Sequence, residues 1–450
     1  MLVAVGSCLA GRSSESAEPA GWKAGTARVV ITPDGPVWLS GYAGRDRPAE
    51  GKIHDLWAKA LALEDSSGKR VVLLTTDLLG MPRWLYDKVC DTMQAKHGLD
   101  RSQVRITYSH THCAPVVRED LEKMYPLDDE QKKQIYKYSD QLADKILKVL
   151  DDALADLRPA IVSAGTGNCG FAVNRRNNKE PDVPAIRERG EMLNGPIDHT
   201  VPVIEVRDAA DKSLKTVVFA YACHNTTMAF FQYSGDYAGF AQLAIEREHP
   251  GVTAMFVAGC GGDQNPLPRR ELSLCQKYGE ELAASVEKVL KAGPKPLQPV
   301  LKTAGTSIDL PYARVFTREE LQDNTKSSEP RRSNVAKHYL AELDAGRELP
   351  KSAPYTIQAW RLGDQTWIQL AGEVLVDYSL RFKVEHGEGT WTTGYGHNLI
   401  AYIPSRRNIA EGGYEATSVF QYLHPAEQWA PDIEEQIATA TKELVEKVRQ

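Results

Sequence analysis

The sequence lacks the short motifs that mark many common hydrolases and nucleotide-binding enzymes. It has no GxSxG, which argues against a nucleophile-elbow hydrolase. It has no HExxH, so the two-histidine helix of common zinc proteases is absent, and no GxxxxGK[ST] to cradle phosphates. No two of its seven cysteines form a CxxC pair, which excludes a zinc ribbon or a thioredoxin-type site. Positive charge is not in surplus. Lys+Arg 54 against Asp+Glu 60 leaves a net charge of -6, which argues against a nucleic-acid partner. No apolar run reaches the roughly 18 residues of a helical membrane span.

What is present is an ordinary globular composition, 42% hydrophobic and 25% charged over 450 residues. That length suits one large domain or two ordinary ones, with a core that needs no disulfide or metal to hold it. The first ten residues, MLVAVGSCLA, are small and apolar, and a polar stretch follows. Val5-Gly6-Ser7-Cys8 resembles a bacterial lipobox, in which the cysteine carries the lipid. The expectation is a signal-like tether over 1–21, a lipid anchor on Cys8, an extracytoplasmic location at the periplasm or cell surface, and a folded domain over 22–450. The alternative is an ordinary polar N-terminal tail.

Short β-branched runs predict strands near 70–76, 103–108, 159–164, 201–207, 215–223, 252–258, 354–361 and 366–371. Helical spacing predicts helices near 82–96, 130–157, 236–248, 271–291, 373–385 and 431–448. The alternation implies an α/β fold: one large domain with a mixed or largely parallel sheet flanked by helices. The charged stretch 311–353 reads as an excursion or a short helical hairpin. Gly165-Thr166-Gly167-Asn168-Cys169-Gly170 formally fits GxGxxG, but no helix pattern follows, so it reads as a glycine turn.

In α/β sheets, function gathers where strands end. Four strand ends here carry unusual residues: Ser109-His110-Thr111-His112-Cys113, His224-Asn225-Thr226-Thr227, Gly259-Cys260-Gly261-Gly262-Asp263-Gln264-Asn265 and Gly372-Glu373. Two histidine sources and a carboxylate could hold zinc and leave a position open for water. In extended backbone, His110 and His112 point to one side, so one could ligate while the other handles protons. Each piece alone has an ordinary reading. A histidine at a strand end is more often a hydrogen-bonded core side chain, and Glu373 before a helix often complements the dipole. Glycines at 259, 261 and 262 could simply make a tight turn.

Taken in order, these blocks resemble the catalytic domain of the neutral/alkaline non-lysosomal ceramidases, zinc amidases that cleave the N-acyl bond of ceramide. The resemblance runs through Gly41-Tyr42-Ala43, Gly51-Lys52-Ile53-His54-Asp55, Asp77 and SHTHCAP. It continues through Val173-Asn174-Arg175, ACHNT, Gly372-Glu373 and the stretch from Asn398 to Tyr414-Glu415-Ala416. It implies zinc ligands at His110, His224, Glu373 and Tyr402, with Tyr395 as the fallback for the tyrosine. It implies that His112 sits beside the zinc water and the substrate carbonyl. The mechanism favoured from these residues makes His112 the proton shuttle, lets Tyr402 steady the oxyanion and has Asp263 and Asn265 position substrate or water. Asp263 could equally cap a turn.

Two departures stand out. Where the family carries the serine its amidase activity requires, this sequence has Asn265, and an amide cannot act as that nucleophile. The resemblance covers the family's catalytic domain, and the expectation is that the family's C-terminal β-sandwich is absent. Arginine pairs at Arg175-Arg176, Arg269-Arg270 and Arg406-Arg407 fall in the candidate site loops. Arginine forks suit carboxylate, sulfate or phosphate, so Arg175, Arg176, Arg270 and Arg406 become candidate contacts to a polar, anionic, glycan-like substrate. The expected activity is zinc-dependent hydrolysis of an amide or related acyl bond in a small molecule, lipid or glycan. The alternatives are true ceramide hydrolysis and a non-catalytic, zinc-stabilised cell-surface binding protein.

Overall fold

The structure is a computed structural model and describes residues 21–450. The lipobox-like segment and Cys8 lie outside the described residues.

A 13-stranded sheet forms the centre. From one edge its path runs through Thr253–Ala258, Leu214–Tyr221, Thr200–Asp208, Arg158–Asn168 and Trp22–Val30. It continues through Trp57–Glu64, Arg70–Thr76, Val104–Tyr108, Trp391–Gly396, Gln365–Ala371, Ser352–Leu362 and Leu301–Pro311, and the thirteenth strand, Lys295–Pro296, pairs off this path with Arg158–Asn168. The sheet is mixed. Parallel pairing occurs between Thr253–Ala258 and Leu214–Tyr221, Arg70–Thr76 and Val104–Tyr108, and Gln365–Ala371 and Trp391–Gly396; the other neighbours are antiparallel. The edge strand Thr253–Ala258 also touches Arg70–Thr76, Val104–Tyr108 and Trp391–Gly396, so the sheet folds over into two facing layers. Leu61, Leu73, Val162, Ile204, Val218, Met255, Trp360 and Trp391 fill the space between them.

Helices cover both outer faces. Asp129–Ala155 starts in a capping box between Asp128 and Gln131, and its stripe of Ile135, Leu142, Ile146 and Leu150 is fully buried. Each such side chain contributes roughly 1.5–3 kcal/mol on burial. Arg83–His97, Asp236–Glu248 and Leu272–Ala292 share that core. Asp377–His386 and Ile433–Arg449 cover the other layer. Because helices lie on one side and the second layer on the other, a strand such as Trp57–Glu64 is buried on both faces and apolar throughout its middle except for Lys59, whose ammonium is met by Glu246 and the Ala254 carbonyl. None of the helices among the described residues is long and apolar enough to cross a membrane.

Two local expectations are corrected, and the helical hairpin expected within 311–353 is present. The helix expected from 373 begins at Asp377, because Glu373–Val374 pairs as a strand with Tyr402–Ile403. The stretch 311–353 contains two helices, Arg318–Asn324 and Pro330–Asp344. Gly165 and Gly167 do not form a turn; they lie inside strand Arg158–Asn168. A Cβ at Gly167 would meet Ser285 Oγ at 2.8 Å, so its hydrogen side chain lets helix Leu272–Ala292 press on the strand.

Candidate metal centre

Strands Val104–Tyr108, Leu214–Tyr221, Thr253–Ala258 and Gln365–Ala371 lead into the loops that build the site. Past Tyr108 the chain is not extended: His110 takes a left-handed conformation, φ 60°. Its backbone N–H donates to the Leu78 carbonyl at 2.9 Å, and its ring Nδ1 lies 2.7 Å from the Leu79 carbonyl. His224 Nδ1 lies 2.8 Å from the Gly261 carbonyl. A carbonyl oxygen only accepts, so each Nδ1 carries the proton and each Nε2 is left with a lone pair. These lone pairs face one oxygen. Glu373 Oε2 is 3.1 Å from His224 Nε2 and 3.2 Å from His110 Nε2, and all three side chains are buried.

Burial, and then the charge on Arg175, push the His224 pKa down to about 4. Burial opposes ionisation of Glu373, and its carboxyl falls below the usual range only where the facing His110 and His224 bring positive charge or a donated proton. With both Nδ1 protons committed to carbonyls, three acceptor atoms converge with no proton between them. Such a group out of water needs a cation. Two ligands about 2.0 Å from one tetrahedral ion lie about 3.3 Å apart, close to the separations found here. Two neutral imidazoles and a carboxylate form an N/O donor set suited to zinc. The residues fit a divalent metal.

Two further side chains border the cluster. The Tyr402 hydroxyl is 3.2 Å from His224 Nε2, held there by the pairing of Tyr402 with Glu373 in register. The Tyr395 hydroxyl sits 3.3 Å from His224 Nδ1, on the side already taken by Gly261. Tyr402, not Tyr395, thus faces the acceptors. His112 Nε2 is 3.3 Å from His110 Nε2, and the donor atoms of His110, His112 and His224 all lie within 4.8 Å of one another. The two neighbouring histidines converge because of the left-handed turn at His110, not through extended backbone. His112 Nδ1 is buried without a partner, and burial, then the charges of His110 and His224, depress the ring's pKa well below normal. Gly41 leaves the space that the His112 ring occupies, and the Tyr42 ring packs on it at 4.6 Å.

The loop after Thr253–Ala258 wraps the back of the cluster. Gly262 donates to the Val374 carbonyl at 2.9 Å, and a Cβ there would meet the Glu373 carbonyl oxygen at 2.7 Å. Close approach, not a left-handed turn, requires the glycine. Asp263 is fully committed to the scaffold: Oδ1 accepts from Val376 N–H at 3.0 Å and Oδ2 from the Asn174 amide at 3.1 Å. The expected role of its carboxylate at substrate is corrected accordingly. Asn265 does face the site. Its Oδ1 receives Arg175 Nη1 at 3.4 Å, while Arg175 Nη2 donates to the Tyr402 hydroxyl at 3.2 Å.

The candidate arginines divide sharply. Arg175 and Arg176 both pair with Glu415, at 2.9 and 2.6 Å, and Arg176 also pairs with Glu411. Arg176 is therefore neutralised and is corrected from substrate contact to scaffold. Arg406 is exposed at the start of helix Arg406–Glu411, with no side-chain contact to the cluster, and is corrected likewise. Arg270 has no carboxylate partner among the described residues; it donates to the Tyr42 hydroxyl at 3.1 Å. Tyr422 escaped the sequence reading, and Tyr414 entered it only as part of a block, with no role at the site. Tyr422 donates to Glu373 Oε1, and Tyr414 packs its ring 5.4 Å from Tyr402. Both sit in short irregular turns with no periodicity to mark them. A groove of about 710 Å³ lined by Pro33, Pro36, Lys52 and Tyr233 shares no residue with the cluster.

The family model for neutral/alkaline non-lysosomal ceramidase, N-terminal, matches residues 22–281. The neutral ceramidase of Pseudomonas aeruginosa is 25% identical over 242 residues, which cover 51% of this chain and 34% of that protein. The chain thus spans about a third of the length of that curated relative. The crystal structure of neutral ceramidase from Pseudomonas aeruginosa matches with a TM-score of 0.70 at 19% identity, over 96% of this chain and 74% of that one. A ceramidase complexed with C2 matches with a TM-score of 0.70 at 18% identity, over 95% and 75%. At these identities the structural likeness establishes the fold, and the family model, matching more than half of the sequence, establishes the lineage: the chain belongs to the neutral/alkaline non-lysosomal ceramidase family.

Proposed function

We propose that the chain is a zinc-dependent hydrolase that cleaves an amide or related acyl bond in a polar, anionic substrate rather than in ceramide. The convergence of His110 Nε2, His224 Nε2 and Glu373 Oε2, with both Nδ1 protons committed elsewhere, carries the reading. When bound, zinc supplies a Lewis acid that polarises a carbonyl and activates water.

The remaining roles fall to the chain's own side chains. His112, neutral because it is buried, accepts a proton at the edge of the cluster and returns it to the leaving group. Tyr402 accepts from Arg175, which frees its own O–H to donate to a developing oxyanion. Asn265 holds substrate by its amide, since its Oδ1 also accepts from Arg175. Without a hydroxyl at position 265, ceramide is expected to turn over weakly or not at all.

The test is a panel of N-acyl substrates, with short-chain ceramide among them, assayed before chelation, after it and after zinc is restored. The expected result is metal-dependent hydrolysis of a polar substrate, about tenfold or more above ceramide. A zinc-loaded protein inert across the panel would contradict it and support a non-catalytic binding protein. Efficient ceramide turnover would move the substrate back to the lipid.

A further inference from the structure

Helix Pro330–Asp344 packs against the turn Val419–Tyr422, which delivers Tyr422 to Glu373. The helix opens with two arginines of unlike surroundings. Arg332 pairs with Glu427 at 2.8 Å, accompanied by Asn324 at 3.1 Å. Arg331 has no carboxylate partner among the described residues. Its Nε is buried with no acceptor, and its guanidinium stands 5.8 Å from the centre of the Phe420 ring. Burial, and then the charge of Glu373, raise the Tyr414 phenol above its usual range, and the charge of Arg331, like that of Arg175, opposes part of that rise. Tyr414 is 51% exposed, and its ring continues the row that runs from His224 through Tyr402.

A half-buried guanidinium with an unmet N–H is costly to keep unless something else completes it. Its planar fork matches two oxygens of one oxyanion, and the flanking rings exclude water from one side. We propose that Arg331, with Tyr414 and Phe420, forms a subsite for an oxyanion group on the substrate, a carboxylate, sulfate or phosphate ester. Arg331 is then a specificity-determining residue rather than a catalytic one. The proposal rests on the hydrolase reading for the substrate's scissile bond but not for the binding itself.

The experiment has a binding arm and a kinetic arm, both on the zinc-loaded full chain. Calorimetry with phenyl sulfate is expected to show binding that weakens about tenfold or more in Arg331→Gln. It should weaken less in Arg331→Lys, and change within about twofold in Arg318→Gln, which removes an equal charge from the neighbouring helix without touching Phe420, the ring on which Arg332 also lies at 4.0 Å. Equal affinity for phenyl sulfate in the native chain and Arg331→Gln would overturn the subsite. In the kinetic arm, N-acetylglucosamine is compared with its 6-sulfate, and short-chain ceramide with its 1-phosphate. Arg331→Gln should raise KM for a charged member and leave kcat, and both neutral members, unchanged. A preference for the charged member in the sugar pair assigns a glycan, and in the lipid pair a lipid. If the binding arm holds and no amide is hydrolysed, the hydrolase reading falls and the subsite stands.

Discussion

At the floor of the site, His110 and His224 each commit an Nδ1 proton to a carbonyl within 2.8 Å and turn Nε2 toward Glu373, whose other oxygen is held by Tyr422. At the rim, Arg270 and Arg331 have no carboxylate partner among the described residues, and Tyr414 is half exposed. The floor has its hydrogen bonds arranged in advance, so its geometry is set before any ligand arrives. The rim's guanidiniums meet no carboxylate among the described residues, although Arg270 donates to the Tyr42 hydroxyl, and in the proposed reading they are left to pair with a substrate. Arg175 joins the two, touching Tyr402 on one side and Glu415 on the other. On the function proposed above, the rigid set of ligands governs the reaction and the loosely held cations govern the choice of substrate.

Substitutions should separate the two regions. Glu373→Gln brings an NH₂ among the acceptors and removes the negative charge. Metal affinity and activity should both fall, by more than the about 10–100-fold typical of outer-shell changes; zinc titration and initial rates measure this. Asn265→Ala keeps the metal but should cost about 10²-fold in rate on the native substrate, as lost transition-state contacts do. Asn265→Ser, assayed on fluorescent short-chain ceramide, should raise turnover above the native level. Unchanged metal binding alongside the lost rate would mark position 265 as part of the reaction rather than the scaffold. Tyr422→Phe removes only the hydroxyl behind Glu373 and should weaken metal binding by about tenfold. Arg406→Ala, at an exposed position, should shift stability by no more than about 0.5 kcal/mol and leave rates unchanged. A clear kinetic effect there would mean that the rim extends further than the contacts show.

Much of the floor was legible in the sequence because it sits on short motifs at strand ends. The apolar runs before Ser109 and His224 mark the strands, and the polar residues after them mark the site. The way the two histidines of that loop converge was not legible, since nothing local announces that His110 adopts φ 60°. The start of helix Asp377–His386 was misread for a related reason: a two-residue pairing between Glu373 and Tyr402, 29 positions apart, overrides the helical pattern. The rim was the least legible part. Arg175 and Arg176 look like free anion receptors until Glu415, 240 and 239 positions away in the chain, is seen to pair with both, and Glu411 with Arg176 as well. Arg331 looks like any charged residue on a surface helix until its missing partner and its ring neighbours are known. Neutralisation is a property of pairs, and the pairs here are set by the fold.

The claim on which the rest depends is that His110, His224 and Glu373 hold a divalent ion. Elemental analysis of the purified native chain and of His224→Ala, with X-ray absorption at the zinc edge, tests it directly. The expected result is about one zinc per native chain, with nitrogen and oxygen ligands near 2.0–2.1 Å and no sulfur, and loss of most of the metal in His224→Ala. Full zinc occupancy in His224→Ala, or a native chain that cannot take up a divalent metal, would contradict the account.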